Sequence, residues 1–366
     1  MSRKYEVEVW YQGKTLMGEI GRLLNSLKWK EVRNGVDSID FNIDQGVLMD
    51  YCNKIGEDPA TFLQIKNTDI KLKRNGEYRL GGFVNDFPDP NFNQSNATVS
   101  IACDGYLNLL SDQIVQTQIY NQWYTVDIAS DLIIGVNNRA NSTLGIEIDY
   151  DNHFSPRVKR DRTYDNDQIV SDCLVALTSL GDGSNDFDFR FDPFRKFQTF
   201  DFNNPTIWPD TIEYPAPRKG IGADSMSVSV ISDMANRIIA KGSGQGNEVG
   251  VQYTAEDIAS QKQYGVHEAV ITYSDVSVQD TLRQYAEAEL QIRKQPIFLP
   301  KPVVNGALFD VGRIHAGDVI RVVNRKSPWF QVDGLFRIEE IEVTVDENMS
   351  ESVALTLSNL GVRQTK

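Results

Sequence analysis

Apolar and polar residues alternate through the first hundred positions of this chain, the period-2 pattern of half-buried β-strands. Tyr5-Glu6-Val7-Glu8-Val9-Trp10 is the first such run. Residues 27–32 and 38–43 follow, on either side of Asn34-Gly35, a dipeptide favoured in type I′ hairpin turns. Residues 69–73 and 81–86 flank a second such dipeptide, Asn75-Gly76, and residues 99–103 close the block. Residues 46–55 read as a short helix and residues 62–66 as a further strand. Pro88 and Pro90 end a segment and open an Asn-rich loop.

After Cys103 the period changes. Residues 126–136 and 167–180 have helical spacing; in the second, Ile169, Cys173, Leu174, Leu177 and Leu180 share a face. Asp165 or Asp167 is the expected N-cap and Gly181 the expected residue after the C-cap. Residues 186–192 return to strand, with Phe187, Phe189 and Phe191 on one side and Asp186, Asp188, Arg190 and Asp192 on the other. The Pro- and Gly-dense stretch 205–222 reads as a boundary. The clearest helix spans 277–292, with Leu282, Ala286 and Leu290 in phase, Ser277 as cap, and Pro296, Pro300 and Pro302 barring its extension.

Two stretches repeat one plan, and repetition bears on the whole architecture. Asp69-Ile70-Lys71-Leu72-Lys73, a turn, Gly81-Gly82-Phe83-Val84, then residues 99–103 before Asp104-Gly105 form the first. Asp318-Val319-Ile320-Arg321-Val322, a turn near Ser327-Pro328, Asp333-Gly334-Leu335-Phe336, then residues 354–358 before Asn359 form the second. A strand pair precedes each: residues 27–43, and residues 226–241 turning around Ser232-Asp233. The expected fold class is therefore mainly β with α+β insertions: two similar β-barrel-like domains and two smaller α+β modules. The boundaries are 1–110 for the first barrel, 111–222 for a module, 223–247 with 313–366 for the second barrel, and 248–312 for an inserted module.

The chain has 366 residues and a formal charge of -14, which argues against a phosphate-gripping surface, since Lys and Arg dominate nucleic-acid affinity. The one basic cluster, residues 157–162, is short. No run of about 18 apolar residues is present to span a bilayer, and the first residues lack a signal-peptide core, so synthesis and folding in a reducing cytosol are expected. Cys52, Cys103 and Cys173 lack any C-x-x-C spacing and read as buried small hydrophobes.

Candidate chemistry is thin. Gly242-Ser243-Gly244-Gln245-Gly246 leads into strand-like residues rather than the helix a phosphate loop requires, so a hairpin connection is expected. His153, His267 and His315 belong to no helical i, i+3 or i, i+4 ligand pair, and Gly-x-Ser-x-Gly is absent. Asp186, Asp188 and Asp192, like Glu340 and Glu342, lie two or four apart on strands, close enough for a glycosidase pair but without an evident desolvating cleft; the expectation is a solvated strand face. Residues 182–192 do not match a calcium loop. No catalytic, cofactor-binding or metal-binding residue is predicted. A cell-wall or glycan hydrolase remains the rival reading, motivated by these carboxylates and by Trp123 and Trp208, and a peripheral receptor-binding module is a third.

In order along nearly the whole chain, several segments resemble the hub proteins of phage tails and related contractile injection systems. They are Leu27-Lys28-Trp29-Lys30-Glu31-Val32 with its Asn34-Gly35 turn, Ala235-Asn236-Arg237-Ile238-Ile239-Ala240-Lys241-Gly242, Tyr264-Gly265-Val266-His267-Glu268 before the long helix, and His315-Ala316-Gly317-Asp318-Val319-Ile320. The resemblance implies a non-enzymatic structural protein of the virion tail tip or baseplate, made in the bacterial host cytoplasm. It implies a homotrimer whose paired barrels present six units to a tail tube above and threefold symmetry to a tip or fibre below, with double-stranded DNA passing through.

Overall fold

In the computed structural model, residues 5–86, 89–92, 97–142, 144–154, 159–178, 187–231, 233–242, 250–273, 278–326 and 330–359 are described. The chain divides into two compact units: residues 1–225, 302–326 and 331–357 form one, and residues 226–301, 327–330 and 358–366 the other.

The first barrel uses β1 (Tyr5–Tyr11), β2 (Thr15–Glu19), β3 (Leu24–Val32), β4 (Ser38–Asp44), β5 (Thr68–Arg74), β6 (Glu77–Val84), β7 (Asp89–Phe92) and β8 (Ala97–Gly105). Their order is β2-β1-β5-β6-β8-β4-β3, with β7 paired to β8. Val7, Val9, Trp29, Ile39, Phe41, Ile43, Ile70 and Leu72 are buried, each contributing about 1.5–3 kcal/mol by the transfer of large apolar side chains. Helix α1 (Gln45–Ile55) forms where expected, capped by Asp44 accepting from Val47 N and ended by Gly56 in the left-handed region. Residues 62–66 are not a strand: Phe62 ends the short helix α2 (Pro59–Phe62), started by Asp58 and Pro59. At Asn75 (φ 55°) and Gly76 (φ 86°) both turn residues have positive φ, as a type I′ turn demands. Asn34-Gly35 differs, because only Asn34 has positive φ and the connection spans residues 33–37.

A module follows, with β9 (Gln118–Tyr124), α3 (Thr125–Asn137), β10 (Glu147–Ile148), β11 (Lys159–Tyr164), α4 (Val170–Leu177), β12 (Asp188–Phe191) and β13 (Lys196–Phe200). Its core gathers Ile128, Ile133, Leu174, Phe187, Phe189 and Phe197 with Phe83 and Tyr106 from the barrel side. The predicted N-caps of α4, Asp165 and Asp167, do not act: its N-cap is Ile169, without a side-chain bond, and the chain enters from a bridge between Ile114 and Ile169. Leu180 and Gly181 lie outside the described residues.

The second barrel is built from β14 (Ile207–Tyr214), β15 (Ile221–Ile231) and, after an insertion carrying β16 (Arg237–Gly242), β17 (Gln252–Glu256) and β18 (Glu268–Tyr273), from β19 (Ile297–Asn305), β20 (Val319–Asn324), β21 (Val332–Val345) and β22 (Glu351–Asn359). Strands β21, β20, β14, β15, β19 and β22 join in that order and β22 pairs back onto β21, so this barrel is closed. The expected hairpin over 226–241 is not made. Residues 237–242 instead form the middle strand of the order β17-β16-β18, and β15 neighbours β19. In that inserted sheet, β16 pairs antiparallel with β17 and parallel with β18. Helix α6 (Gln279–Arg293) lays Leu282, Ala286 and Leu290 onto Ile238, Ala240 and Ala255. Its N-cap is Val278, and Ser277 lies outside the described residues. Helix α5 (Ile258–Tyr264) is capped by Asp257 accepting from Ser260 N.

The two barrels share a strand plan. β3, β4, β5, β6 with β7, and β8 neighbour one another in the same sequence as β15, β19, β20, β21 and β22. The sixth position differs, since β1 runs antiparallel to β5 whereas β14 runs parallel to β20.

Candidate assembly interface

The barrels of one chain are joined by main chain. The second half of β21 lies antiparallel on β3, from Glu340 opposite Val32 to Val345 opposite Leu27. Lys28 and Lys30 reach Glu342 at 2.9 Å and Glu340 at 3.9 Å across this junction. Glu340 and Glu342 are thus cross-strand partners of lysines, not an acid pair; such half-exposed bridges contribute under about 1 kcal/mol each.

Charges that the alternation phases inward lie beneath the junction. Glu351 at the start of β22, with its side chain fully buried, accepts Arg74 Nε at 2.8 Å and Arg74 Nη2 at 3.0 Å. Tyr5 Oη donates to the same carboxylate at 2.5 Å and accepts Trp29 Nε1 at 3.2 Å, while Arg74 Nη1 reaches Asp310 at 2.8 Å. Burial, with the Glu351 charge beside it, pushes the Tyr5 hydroxyl well above its ordinary value. Gly306 permits this packing, because a Cβ there would stand 2.3 Å from Glu351 Oε2.

Glu31, inward on β3 beside Trp29, accepts from Arg79, from Ala316 N at 3.0 Å and from His315 Nδ1 at 3.0 Å. Burial alone would raise its carboxyl, but Arg79 and His315 outweigh it and hold it at about 2. Burial, partly offset by Glu31, lowers His315 below its usual range. Nearby Asp37 is half-buried; burial first and then the Glu31 charge push its carboxyl up to about 8, although Val32 N donates to it at 2.8 Å.

Two further carboxylates fasten the module. Asp188 is buried, bonded by Arg33 Nε at 2.9 Å, Asn34 Nδ2 at 2.7 Å and Arg337 Nη1 at 3.2 Å. This overturns the expectation of a solvated face for the 186–192 carboxylates: Asp188 is a three-way anchor between module and barrels. Asp192 turns inward on its own loop to accept Phe194 N and Lys196 N at 2.8 Å, and Asp186 lies outside the described residues. Asp69, one of the repeated aspartates, takes Arg195 through two nitrogens and Tyr106 Oη at 3.0 Å. Its counterpart Asp318 instead accepts His315 N at 2.9 Å.

The remaining candidates resolve into structural roles. His153 sits 3.8 Å from Asp127, and His267 N donates to Asn236 Oδ1 at 2.8 Å. Ser243 to Gly246 lie outside the described residues, but the strands flanking them pair antiparallel, Lys241 opposite Gln252, as a hairpin requires. All three cysteines are buried free thiols. Trp123 is exposed; Trp208 is half-buried, with Arg313 over its ring. Of the basic cluster, Lys159, Arg160 and Arg162 form part of β11, paired to β9. Among the described residues no group of side chains could hold a metal ion, and no helix is long and apolar enough to cross a membrane.

Edges are treated unequally. β2 is an edge strand of the first barrel, where Glu19 N donates outward to Tyr51 Oη at 3.0 Å. β7 pairs with β8 from Asp89 opposite Ser100 to Phe92 opposite Ala97 and with no other strand among the described residues. The pairing of β14 with β15 reaches only Glu213 opposite Gly222, and β14 ends one residue later.

Two β-barrel-like sheets of one strand plan, joined through β3 and β21 and carrying α+β modules, make a fold that solved phage tail proteins share. The tail protein from Neisseria meningitidis MC58 superposes with a TM-score of 0.69 at 12% identity over 98% of both chains. The 43 kDa tail protein of prophage MuSo2 from Shewanella oneidensis gives 0.67 at 12% identity, covering 96% of this chain and 97% of that one. A type VI secretion component of E. coli, described as similar to T4 tail proteins gp27 and gp5, gives 0.52 at 11% identity over 92% of this chain and 73% of its own. No protein-family model matches the sequence, and no curated protein does.

Proposed function

We propose that this chain is the structural hub of a phage or phage-like tail: three copies close a ring that adapts a sixfold tail tube to a threefold tip or fibre. Tail-tube or distal-tail proteins sit above it, and double-stranded DNA passes through it without tight binding. The observation that carries this reading is the strand plan repeated in both barrels of one chain, in a fold matched along its full length by tail proteins. Duplication makes six similar units from three chains, so one type of contact serves the whole circle. The role is architectural, and the buried carboxylates support it by acting as ion-paired fasteners. A reconstruction of the assembled tail tests the proposal: a ring of three chains is expected, and six chains per ring would refute it. Purified protein incubated with peptidoglycan is expected to release neither sugars nor peptides; turnover lost on Asp188→Asn would favour the hydrolase reading instead.

A further inference from the structure

We propose that a polar cleft at the β5–β6 turn binds a small carboxylate, and that Asp310 holds the ligand's place in the free chain. The cleft has a volume of about 300 Å³ and lies between residues 74–79 and residues 310–313, all within one compact unit. That size is at the lower end of the range for small-molecule sites. Two buried arginines line it, Arg74 at the end of β5 and Arg79 on β6. The third, Arg313, is exposed and holds its guanidinium 5.8 Å from the centre of the Trp208 ring. Three guanidiniums thus meet around one cleft in a chain whose net charge is -14, and their planar forks of N–H donors match a carboxylate.

The donors are unequally engaged. Glu351 takes Arg74 Nε and Nη2 from the buried side, and Arg74 Nη1 goes to Asp310 at 2.8 Å. The Glu351 side chain is fully buried, whereas that of Asp310 is 52% exposed. Of the two bonds, the one to Asp310 is the exchangeable one, because exposed ion pairs are weak. No carboxylate pairs with Arg313 among the described residues. Arg79 spends its terminal nitrogens on His315, Glu31 and Ile314 O, but its buried Nε finds no acceptor among the described residues. A buried donor left over calls for a partner. Gly312 keeps the approach open: a Cβ there would stand 2.7 Å from Arg74 Nη1 and 3.4 Å from Asp310 Oδ1. A ligand carboxylate that displaces Asp310 takes Arg74 Nη1 and Arg313 together, and at Arg74 one negative charge replaces another while Asp310 turns to water. Glu351 and Glu31 already neutralise the two buried arginines, and Glu77 and Asp310 also line the cleft. A single negative charge therefore suits it better than a phosphate dianion, which these carboxylates repel. The carboxylate may belong to a free acid or to an Asp or Glu side chain of another protein; the chemistry of capture is the same.

The test uses the full chain. Thermal unfolding is followed in rising concentrations of sodium propionate, of N-acetylglutamate amide and of sodium phosphate, each against sodium chloride at matched ionic strength, since a ligand held by the folded state raises the midpoint. A saturable rise is expected with both carboxylates and a weaker one with phosphate. A tighter grip on the glutamate probe than on propionate identifies a protein side chain as the source, and equal grips identify a free acid. Arg313→Gln, at an exposed position, should leave the midpoint in chloride unchanged and weaken carboxylate binding about tenfold, the loss of one charge-assisted donor set. Asp310→Asn should strengthen binding several-fold, because the internal competitor is gone. No rise beyond that in chloride, tighter binding of phosphate than of propionate, or an affinity that neither variant moves would overturn the inference.

Discussion

Asp37→Asn should stabilise this protein, and increasingly so as pH rises. Asp37 lies beside Glu31, no cation is bonded to it among the described residues, and burial with that neighbouring charge pushes its carboxyl up to about 8 from an ordinary 3.8. The native state thus holds a proton that the unfolded chain releases, so stability contributed at this position falls as pH rises from about 4 to about 8. At 1.36 kcal/mol per unit, keeping it protonated at pH 7 costs on the order of 4 kcal/mol. Asparagine keeps the acceptor for Val32 N and stays neutral, but adds amide hydrogens whose burial costs about 1–3 kcal/mol if unpaired. The net expectation is a gain of about 1–3 kcal/mol at neutral pH. Urea unfolding of parent and variant at about pH 5 and about pH 8 isolates the effect, because the His315 and Glu31 titrations occur in both proteins. The difference between them should widen by roughly 3 kcal/mol over that interval. A constant difference, or a variant less stable at both values, would mean that Asp37 is ionised and usefully paired, and the reasoning would fail.

Other outcomes follow from the same geometry. Glu351→Ala leaves Arg74 buried without its two-point partner and should cost about 3–5 kcal/mol, read as a lowered denaturation midpoint. Gly306→Ala places a methyl against the Glu351 carboxylate and should cost about 1–3 kcal/mol, and Gly306→Ala with Glu351→Ala should cost less than the two summed. Asp188→Asn weakens the anchor to Arg33 and Arg337, and increased proteolysis within residues 187–200 under native conditions is the expected sign. Double-stranded DNA should show no measurable retention at low or physiological salt, given a net charge of -14; binding that weakens as salt rises would reveal a basic track.

Much of the architecture was legible along the chain because its causes are local. Alternation marked β1, β3, β4, β5 and β8, Asn75-Gly76 marked a true positive-φ turn, and the i, i+4 stripe of Leu282, Ala286 and Leu290 marked α6. The repeat from Asp69 and from Asp318 likewise marked two stretches whose strands follow one plan. Alternation even carried an unread signal: Glu31 falls in phase with Leu27 and Trp29, an inward charge that must find a partner. Its partners could not be read, since Arg79 and His315 lie 48 and 284 residues away, and Arg74 meets Glu351 across 277. For the same reason Asp188 looked solvated on its own strand, until Arg33, from the connection after β3, and Arg337, from β21, arrived to bury it. The hairpin expected at 226–241 failed because β15 takes its neighbour from beyond the inserted module, a choice made by barrel closure and not by adjacent sequence. Local periodicity determined which residues face inward; which charge meets which, and which strand edge stays open, depended on contacts that exist only once the barrels have formed.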